Sequence, residues 1–279
     1  MRAQSGHQTG PGVVDLFPVT PLTRYLGAAI VLGTAVASSA QSLAPVPELV
    51  TDRPDFTESS EVVGHRVVQI ESGLTLEQTD RQTLQVTAPQ VLVRVGVGSR
   101  FEFRFAGDGF VSQSLQTPSG HVRTSGRSDL EIGGKFKFAD ADRSGLDLAV
   151  IPFLSLPTAT NGFSSNGYDP GFKLTAARDL PRGFGLSGNV NFADVTSEMG
   201  RTWQREASLS LGHSLGGPFG AYWETYGTLI GGGCDCTVNT GVSVALGGNG
   251  QLDMEVGRGI SGQAQDWFVG VGFAVRRLH

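Results

Sequence analysis

The sequence predicts an all-β protein, an up-and-down antiparallel transmembrane β-barrel of about twelve strands with short periplasmic turns and longer extracellular loops. Three observations lead there. Glycine is abundant, with 40 Gly and 13 Pro in 279 residues of which 17% are charged, about twice the usual glycine share of roughly 7%. These glycines are spread through apolar segments, where a helix would lose about 1 kcal/mol at each relative to alanine. From about residue 66 onward, apolar and polar residues alternate with period two in segment after segment, each bounded by Gly, Pro, Asp or Asn. The connections between segments alternate between tight and long, the pattern of a meander trimmed at one end and decorated at the other.

The same arithmetic excludes other classes. Mean hydropathy is −0.04, and the longest apolar stretch, Leu26–Ala37, has 12 residues, short of the about 20 that a membrane-spanning helix needs. The formal charge is −5, and the 21 basic residues are scattered, almost all singly, and are nearly all arginine, so there is no electrostatic footprint for nucleic acid. Arg24 through Ala40 joins a basic flank to a short apolar core and small residues at Ser38 and Ala40, the pattern of an export signal cleaved before Gln41. The expected organisation is a signal peptide at 1–40, an N-terminal periplasmic or plug segment at 41–64 and an outer-membrane β-barrel at 65–279, in the bacterial outer membrane.

The strands follow in order. In the first, Val68, Ile70, Ser72, Leu74 and Leu76 share a face opposite Gln69, Glu71, Gly73, Thr75 and Glu77. The second, about 82–95, sets Val91, Val93 and Val95 against Arg94, and the third sets Phe101, Phe103 and Phe105 against Glu102 and Arg104. The fourth, 128–138, is the most regular, with Leu130, Ile132, Gly134, Phe136 and Phe138 opposing Asp129, Glu131, Gly133, Lys135 and Lys137. A one-residue slip would exchange that whole set between faces. Further strands are expected at about 145–156, 170–180, 183–194, 202–213, 218–229, 237–247, 250–260 and 266–277. Counted from the first strand, the even connections are tight: Gly96–Arg100, Asp140–Ser144, Pro181–Arg182, Ser214–Pro218 and Gly247–Gly250. The odd ones after Gln78–Arg81 are longer: Asp108–Gly126, Pro157–Asp169, Val195–Arg201, Ile230–Cys236 and Ser261–Gln265.

Alternation alone fits a soluble sandwich as well as a membrane barrel. Three features favour lipid on the apolar face. The polar faces carry small groups, such as Gly185, Ser187, Asn189 and Asn191, then Ser208, Ser210 and Gly212. Lysine, the usual protection of soluble edge strands, is nearly absent. Trp203, Trp223, Trp267, Phe219 and Phe273 fall on the apolar parity, several near strand ends, as interfacial girdles require.

On this parity the lumen collects Glu71, Arg94, Glu102, Arg104, Asp129, Glu131, Lys135, Lys137, Asp147, Lys173, Glu206, Glu224, Asp253 and Glu255. Confined charges of both signs pair across strands, because an unpaired buried charge is costly. They form either a structural salt-bridge network or a polar path whose field selects solutes. Twelve strands lie between the filled interior of about 8 and the open channel of about 16 to 18, so a narrow or gated pore is expected. The candidate gate is the segment ahead of the barrel, with Asp52, Arg53, Pro54, Asp55 and Glu58, folded into or under it; Pro54 argues against a central strand there. Phe153, Tyr222, Tyr226 and Phe268 face inward and either line a path for hydrophobic solutes or pack the interior.

No catalytic set emerges. His7 lies in the signal, His279 at the end, His65 ahead of the first strand and His121 in the first long loop, while His213 has the outward parity of Leu209 and Leu211. A nucleophile needs a base within reach and a third group to orient it. The run Gly231–Gly233 leads into Cys-Asp-Cys and another strand, whereas a dinucleotide loop opens a helix. Cys234 and Cys236 read as a feature of a glycine-rich loop: a disulfide between such near neighbours is strained, and a two-thiolate metal site lacks its other ligands nearby. No enzymatic activity, cofactor or metal is expected. The expected partners are outer-membrane lipid, the barrel assembly machinery and a small-molecule solute.

Several stretches resemble a known family over nearly all of residues 51–277. They are Thr51-Asp-Arg-Pro-Asp-Phe-Thr-Glu58, Val68-Gln-Ile-Glu-Ser-Gly73, Pro89-Gln-Val-Leu-Val-Arg-Val-Gly96, Ser155-Leu-Pro-Thr158, Pro170-Gly171, Gly257-Arg-Gly259 and Asp266-Trp-Phe-Val-Gly-Val-Gly-Phe273. The family is that of the outer-membrane barrels of the MetA-pathway of phenol degradation. The chain departs from its pattern at Ala159, where the family usually has Gly, and at Arg276-Arg277-Leu278-His279, in place of a terminal aromatic. The resemblance implies a channel or transporter role, with aromatic or other hydrophobic compounds as solutes. The alternative is a structural or adhesive barrel with a closed lumen, whose loops 108–126 and 157–169 contact partners.

Overall fold

The computed structural model describes residues 49–230 and 233–278. The expected signal peptide at 1–40, and residues 41–48 of the segment after it, lie outside the described residues. One sheet holds β1 (Val67–Asp80), β2 (Thr83–Gly96), β3 (Phe101–Asp108), β4 (Val111–Thr117), β5 (Gly120–Gly126), β6 (Leu130–Ala139), β7 (Asp147–Leu156) and β8 (Asp169–Leu180). It continues with β9 (Phe184–Ser197), β10 (Gly200–Gly216), β11 (Phe219–Ile230), β12 (Gly233–Ala245), β13 (Gly250–Gly259) and β14 (Trp267–Leu278), and one helical turn, α1 (Ala141–Ser144), joins β6 to β7. β1 pairs antiparallel with both β2 and β14. That closes a ring in the order β1-β2-β3-β6-β7-β8-β9-β10-β11-β12-β13-β14, a barrel of twelve strands. Closure leaves the twelve-strand ring without a free edge, the condition a sheet must meet in hydrocarbon.

The distribution of side chains is inverted relative to a water-soluble protein. Among the described residues, seven apolar side chains are buried against 25 polar or charged ones. The outward positions Ile70, Phe103, Ile132, Leu209, Val242 and Val271 are exposed, and so are Trp203, Trp223, Trp267, Phe219 and Phe273, all on the expected parity. An apolar band of this extent around a closed sheet is stable where lipid surrounds it. Val67 faces Leu278 across the β1–β14 pair, so both ends of the strand run share one rim. The connections at that rim are tight, which makes it the periplasmic one.

Three of the long connections expected from the sequence are built differently. Asp108–Gly126 is a hairpin: β4 continues β3 after a break at Gly109–Phe110, β5 leads into β6, and β4 pairs with β5 from Val111↔Gly126 to Thr117↔Gly120. Before Pro89, toward the loop rim, β2 pairs with β4, and after it with β3. The stretch reads as a loop because above the bilayer both faces of a strand meet water, so the alternation disappears while the backbone ladder continues. For the same reason β9 and β10 extend to a tight turn between Ser197 and Gly200. The 17 residues of β10 exceed the about 9–11 needed to cross a bilayer. β12 begins at Gly233, which puts Cys234 and Cys236 in a strand and not a loop. They form a disulfide with a Cα–Cα distance of 5.3 Å, because residues two apart in a strand project on the same side.

Val271 lies near the middle of β14 on the lipid face. Val271→Arg is expected to cost about 2–4 kcal/mol, measured as a shift in urea unfolding from lipid vesicles, with Val271→Leu close to neutral.

Candidate functional site

Residues 49–66 hold no strand or helix, yet they run through the barrel interior. A chain without secondary structure can lie there only if other groups take its backbone N–H and C=O. The wall does so. The N–H of Asp52 donates to Glu71 Oε2 at 2.9 Å, those of Phe56 and Thr57 to the two oxygens of Glu224 at 2.9 and 2.6 Å, and that of Val63 to Glu102 Oε2 at 2.7 Å. The carbonyl of Val50 accepts from Gln69 and Arg94, that of Ser59 from Lys135, and that of Glu61 from Arg94.

One side of this segment is held by charge. Arg94 of β2, Arg104 of β3 and Lys135 of β6 converge on the Asp52 carboxylate at 3.3, 2.5 and 2.9 Å. Arg104 also pairs with Glu58 at 2.6 Å, Lys173 of β8 takes the other Glu58 oxygen, and Lys137 pairs with Glu61. Two wall carboxylates complete the network, Glu71 and Glu102, which pair with Arg94 at 3.1 and 2.7 Å. Arg94, Glu71, Glu102 and Lys135 have no solvent exposure. Burial alone would raise the Asp52 carboxyl, but Arg94, Lys135 and Arg104 hold it well below the usual carboxylate range. At Glu58, burial is likewise outweighed by Arg104 and Lys173, and its pKa falls to about 2. Both are ionised at neutral pH.

The other side is looser. Arg53 reaches Asp253 and Gln90 only at 3.4 Å, and the buried Arg53 Nε and Asp253 Oδ2 have no hydrogen-bond partner among the described residues. Its guanidinium lies flat over Gly73 and Gly272, which face each other across β1 and β14, and a Cβ at either would collide with it. Phe56 stacks on Tyr226 with centroids 4.5 Å apart. Burial, and then the neighbouring Glu224, push the Asp55 carboxyl well above the usual range against a hydrogen bond with Ser210, with Asp52 adding to the rise. Glu224 accepts three hydrogen bonds from Phe56 and Thr57, which tie this part of the segment to β11.

The segment divides the interior. Toward the periplasmic rim lies a cavity of about 800 Å³, lined by small residues such as Ser187, Ser210, Gly212 and Ser243 together with Tyr222 and the segment itself. Toward the loop rim lies one of about 290 Å³, with Glu131, Phe153, Lys173, Asn191 and Glu206 on its wall.

Of the lumen residues expected from sequence, Glu71, Arg94, Glu102, Arg104, Lys135, Lys137, Lys173, Glu224 and Asp253 all bond to the inserted segment or to the network around it. Glu255 accepts from Tyr222 Oη at 3.3 Å, Glu206 accepts from Asn191 and Gln204, and Asp147 pairs with Lys137 near the periplasmic rim. Asp129 stands apart at the loop rim. Its carboxylate accepts from the N–H groups of Thr158, Ala159 and Ser165 and from the Ser164 hydroxyl, and so folds the β7–β8 loop. Thr57, Glu61 and the Gly73–Gly272 seat were not expected to take part; Gly73 lies within the Val68–Gly73 stretch, but its partner is 199 positions away and only the ring closure joins them.

Three inward aromatics share one arrangement. Phe153, Tyr222 and Phe268 each lie over the glycine directly opposite on the next strand, Gly171, Gly241 and Gly257. The outer carbons of each ring occupy the space that a Cβ on the glycine would take. Among the described residues no group of His, Cys, Asp or Glu side chains is placed to hold a metal ion.

Twelve antiparallel strands in a closed ring, apolar outside and charged within, define a β-barrel of the outer-membrane type. Residues 51–277 match the family described as Putative MetA-pathway of phenol degradation, and the chain belongs to that family. Solved structures with the same architecture include the COG4313 outer membrane channel from Pseudomonas putida F1, with a TM-score of 0.56 at 12% identity over 80% of this chain and 99% of that one. The KdgM porin aligns with a TM-score of 0.48 at 12% identity over 76% and 99% of the two chains. The CymD monoaromatic hydrocarbon channel does so with 0.42 at 8% identity over 77% and 90%. At 12% identity the likeness to the first of these is one of fold. No curated protein sequence matches the chain.

Two outcomes follow from this geometry. Gly272→Ala is expected to destabilise by about 1–3 kcal/mol through overpacking, and Arg53→Ala in the same chain should recover much of the loss, a non-additivity read from urea midpoints. Because the Asp55 pKa is raised in the folded state, its contribution is complete below the ordinary carboxylate value of about 3.9 and is lost as pH rises through the folded value. Urea midpoints should therefore fall with rising pH, and less so in Asp55→Asn.

Proposed function

We propose that the protein is an outer-membrane channel for passive passage of small solutes, closed at rest by its own residues 49–63. The observation that supports this reading is the placement of that segment: it is bonded to side chains around much of the wall, and an open cavity lies on either side of it. A permanent structural core would have little reason to leave about 800 Å³ of small-residue cavity against one wall. The Gly-backed aromatics keep the path clear while presenting Phe153 at one cavity and Tyr222 at the other, which suits the aromatic solutes suggested by the family's description. In this reading the chain is exported on residues 1–40, inserted by the barrel assembly machinery, and carries no enzymatic activity.

Deleting residues 41–60 is expected to raise single-channel conductance in planar bilayers several-fold. Unchanged conductance would remove the gate, and a deletion variant that stays closed would favour the structural barrel. Liposome swelling with aromatic acids, sugars and fatty acids then ranks the solutes.

A further inference from the structure

The basic residues of the lumen are distributed unevenly with respect to their partners. Arg94 has two wall acids of its own, Glu71 and Glu102, and Arg104 has Glu102 at 3.1 Å. Lys135 bonds to none; Glu102 faces it across β3 and β6. Its hydrogen bonds go to both oxygens of Asp52, each at 2.9 Å, and to the carbonyls of Ser59 and Glu61, all within the inserted segment. Lys173 bonds to Glu58, again in the segment, and lies 5.5 Å from the Phe153 ring, with Glu131 as the wall acid beside it. Four cations on four strands thus converge on two carboxylates, Asp52 and Glu58, that the chain itself inserts among them.

Withdrawal of the segment would leave Glu102, already bonded to Arg94, as the one acid for both Arg104 and Lys135. Removing one side of a buried ion pair is far more costly than never having built it. The vacated cradle therefore either draws the segment back or takes an anion in its place. We propose that this cradle is a binding site for carboxylates, and that a solute monocarboxylate occupies it in place of Asp52 and Glu58 and so holds the channel open. The inference rests on the channel reading given above.

The geometry sets the class of ligand. Asp52 shows how one carboxylate is held, with both oxygens on Lys135 Nζ, one oxygen on Arg104 Nη1 at 2.5 Å and Arg94 Nη1 at 3.3 Å. Charge-assisted contacts of this kind discriminate strongly against neutral analogues. The remainder of the solute extends past Lys173 into the cavity of about 290 Å³, where Phe153 offers an apolar face. Glu131, Asp169 and Glu206 line the same cavity and repel a second negative charge, which selects monocarboxylates with an apolar or aromatic body. A ligand that binds only the unplugged state shifts the population toward it in proportion to its occupancy.

The test is chemical rescue in the full chain. Asp52→Ala empties the centre of the cradle and should lower the urea midpoint; sodium acetate or benzoate should restore most of that loss, whereas sodium chloride at equal ionic strength and benzamide should not. Lys135→Met in the same chain should abolish the rescue. If Asp52→Ala does not fold, Glu58→Ala, which frees Lys173 on the cavity wall, serves in the same way. In planar bilayers, benzoate should raise the open probability of the wild type several-fold and benzamide should leave it unchanged. Rescue no better than chloride, or equal responses to benzoate and benzamide, would overturn the cradle even if the 41–60 deletion conducts. Rescue in a protein whose deletion variant does not conduct would keep the cradle and remove the channel.

Discussion

Arg94 sits in the wall of the barrel without solvent contact, and its guanidinium is met by Glu71, Glu102, Asp52 and two carbonyls of the inserted segment. A charge so placed has no access to water, and its neighbours must supply what hydration would have supplied. Much of the interior is arranged around that requirement. Glu102 serves Arg94 and Arg104 together, Asp52 joins Arg94, Arg104 and Lys135, and Glu58 carries the network on to Lys173. The segment and the wall are one electrostatic unit, in which neither is satisfied without the other.

Closing a sheet of twelve strands leaves more interior than side chains of ordinary size fill and less than an open pore. This chain handles the remainder in two ways. Inward aromatics fold back on glycines opposite them, Phe153 on Gly171, Tyr222 on Gly241 and Phe268 on Gly257, which covers bare backbone and spends ring volume on the wall. The rest is occupied by residues 49–66, held tightly at the β2–β3–β6 side by ion pairs and more loosely at the β11–β14 side by Arg53, a stacked Phe56 and Glu224. The larger cavity lies on the looser side, against Ser210, Tyr222 and Ser243. The segment is thus bound unequally, by buried ion pairs on one side and by longer contacts beside the larger cavity on the other.

Period-two patterning carried the strand positions, the parity and the outward aromatics, because lipid on one face and charge on the other leave a mark on every second residue. Where a strand rises above the bilayer that contrast is lost, and there the reading failed: 108–126 is the β4–β5 hairpin, the β9–β10 turn is tight, and Cys234 and Cys236 lie in β12. Asp129 has the lumen parity but stands at the rim, where its carboxylate folds a loop. Parity locates the face of a residue and says nothing of its height.

By itself the sequence determined the class of fold and the face of each strand on which charge falls, since both follow from local alternation, and it offered Asp52, Arg53, Pro54, Asp55 and Glu58 as a candidate gate. Only the tertiary structure decided which charges meet. Asp52 and Lys135 are 83 positions apart, Arg53 and Asp253 are 200 apart, and Gly73 and Gly272 become one seat only when β1 joins β14. Ring closure and the path of a segment without secondary structure bring these residues together, and neither leaves a periodic trace in the chain.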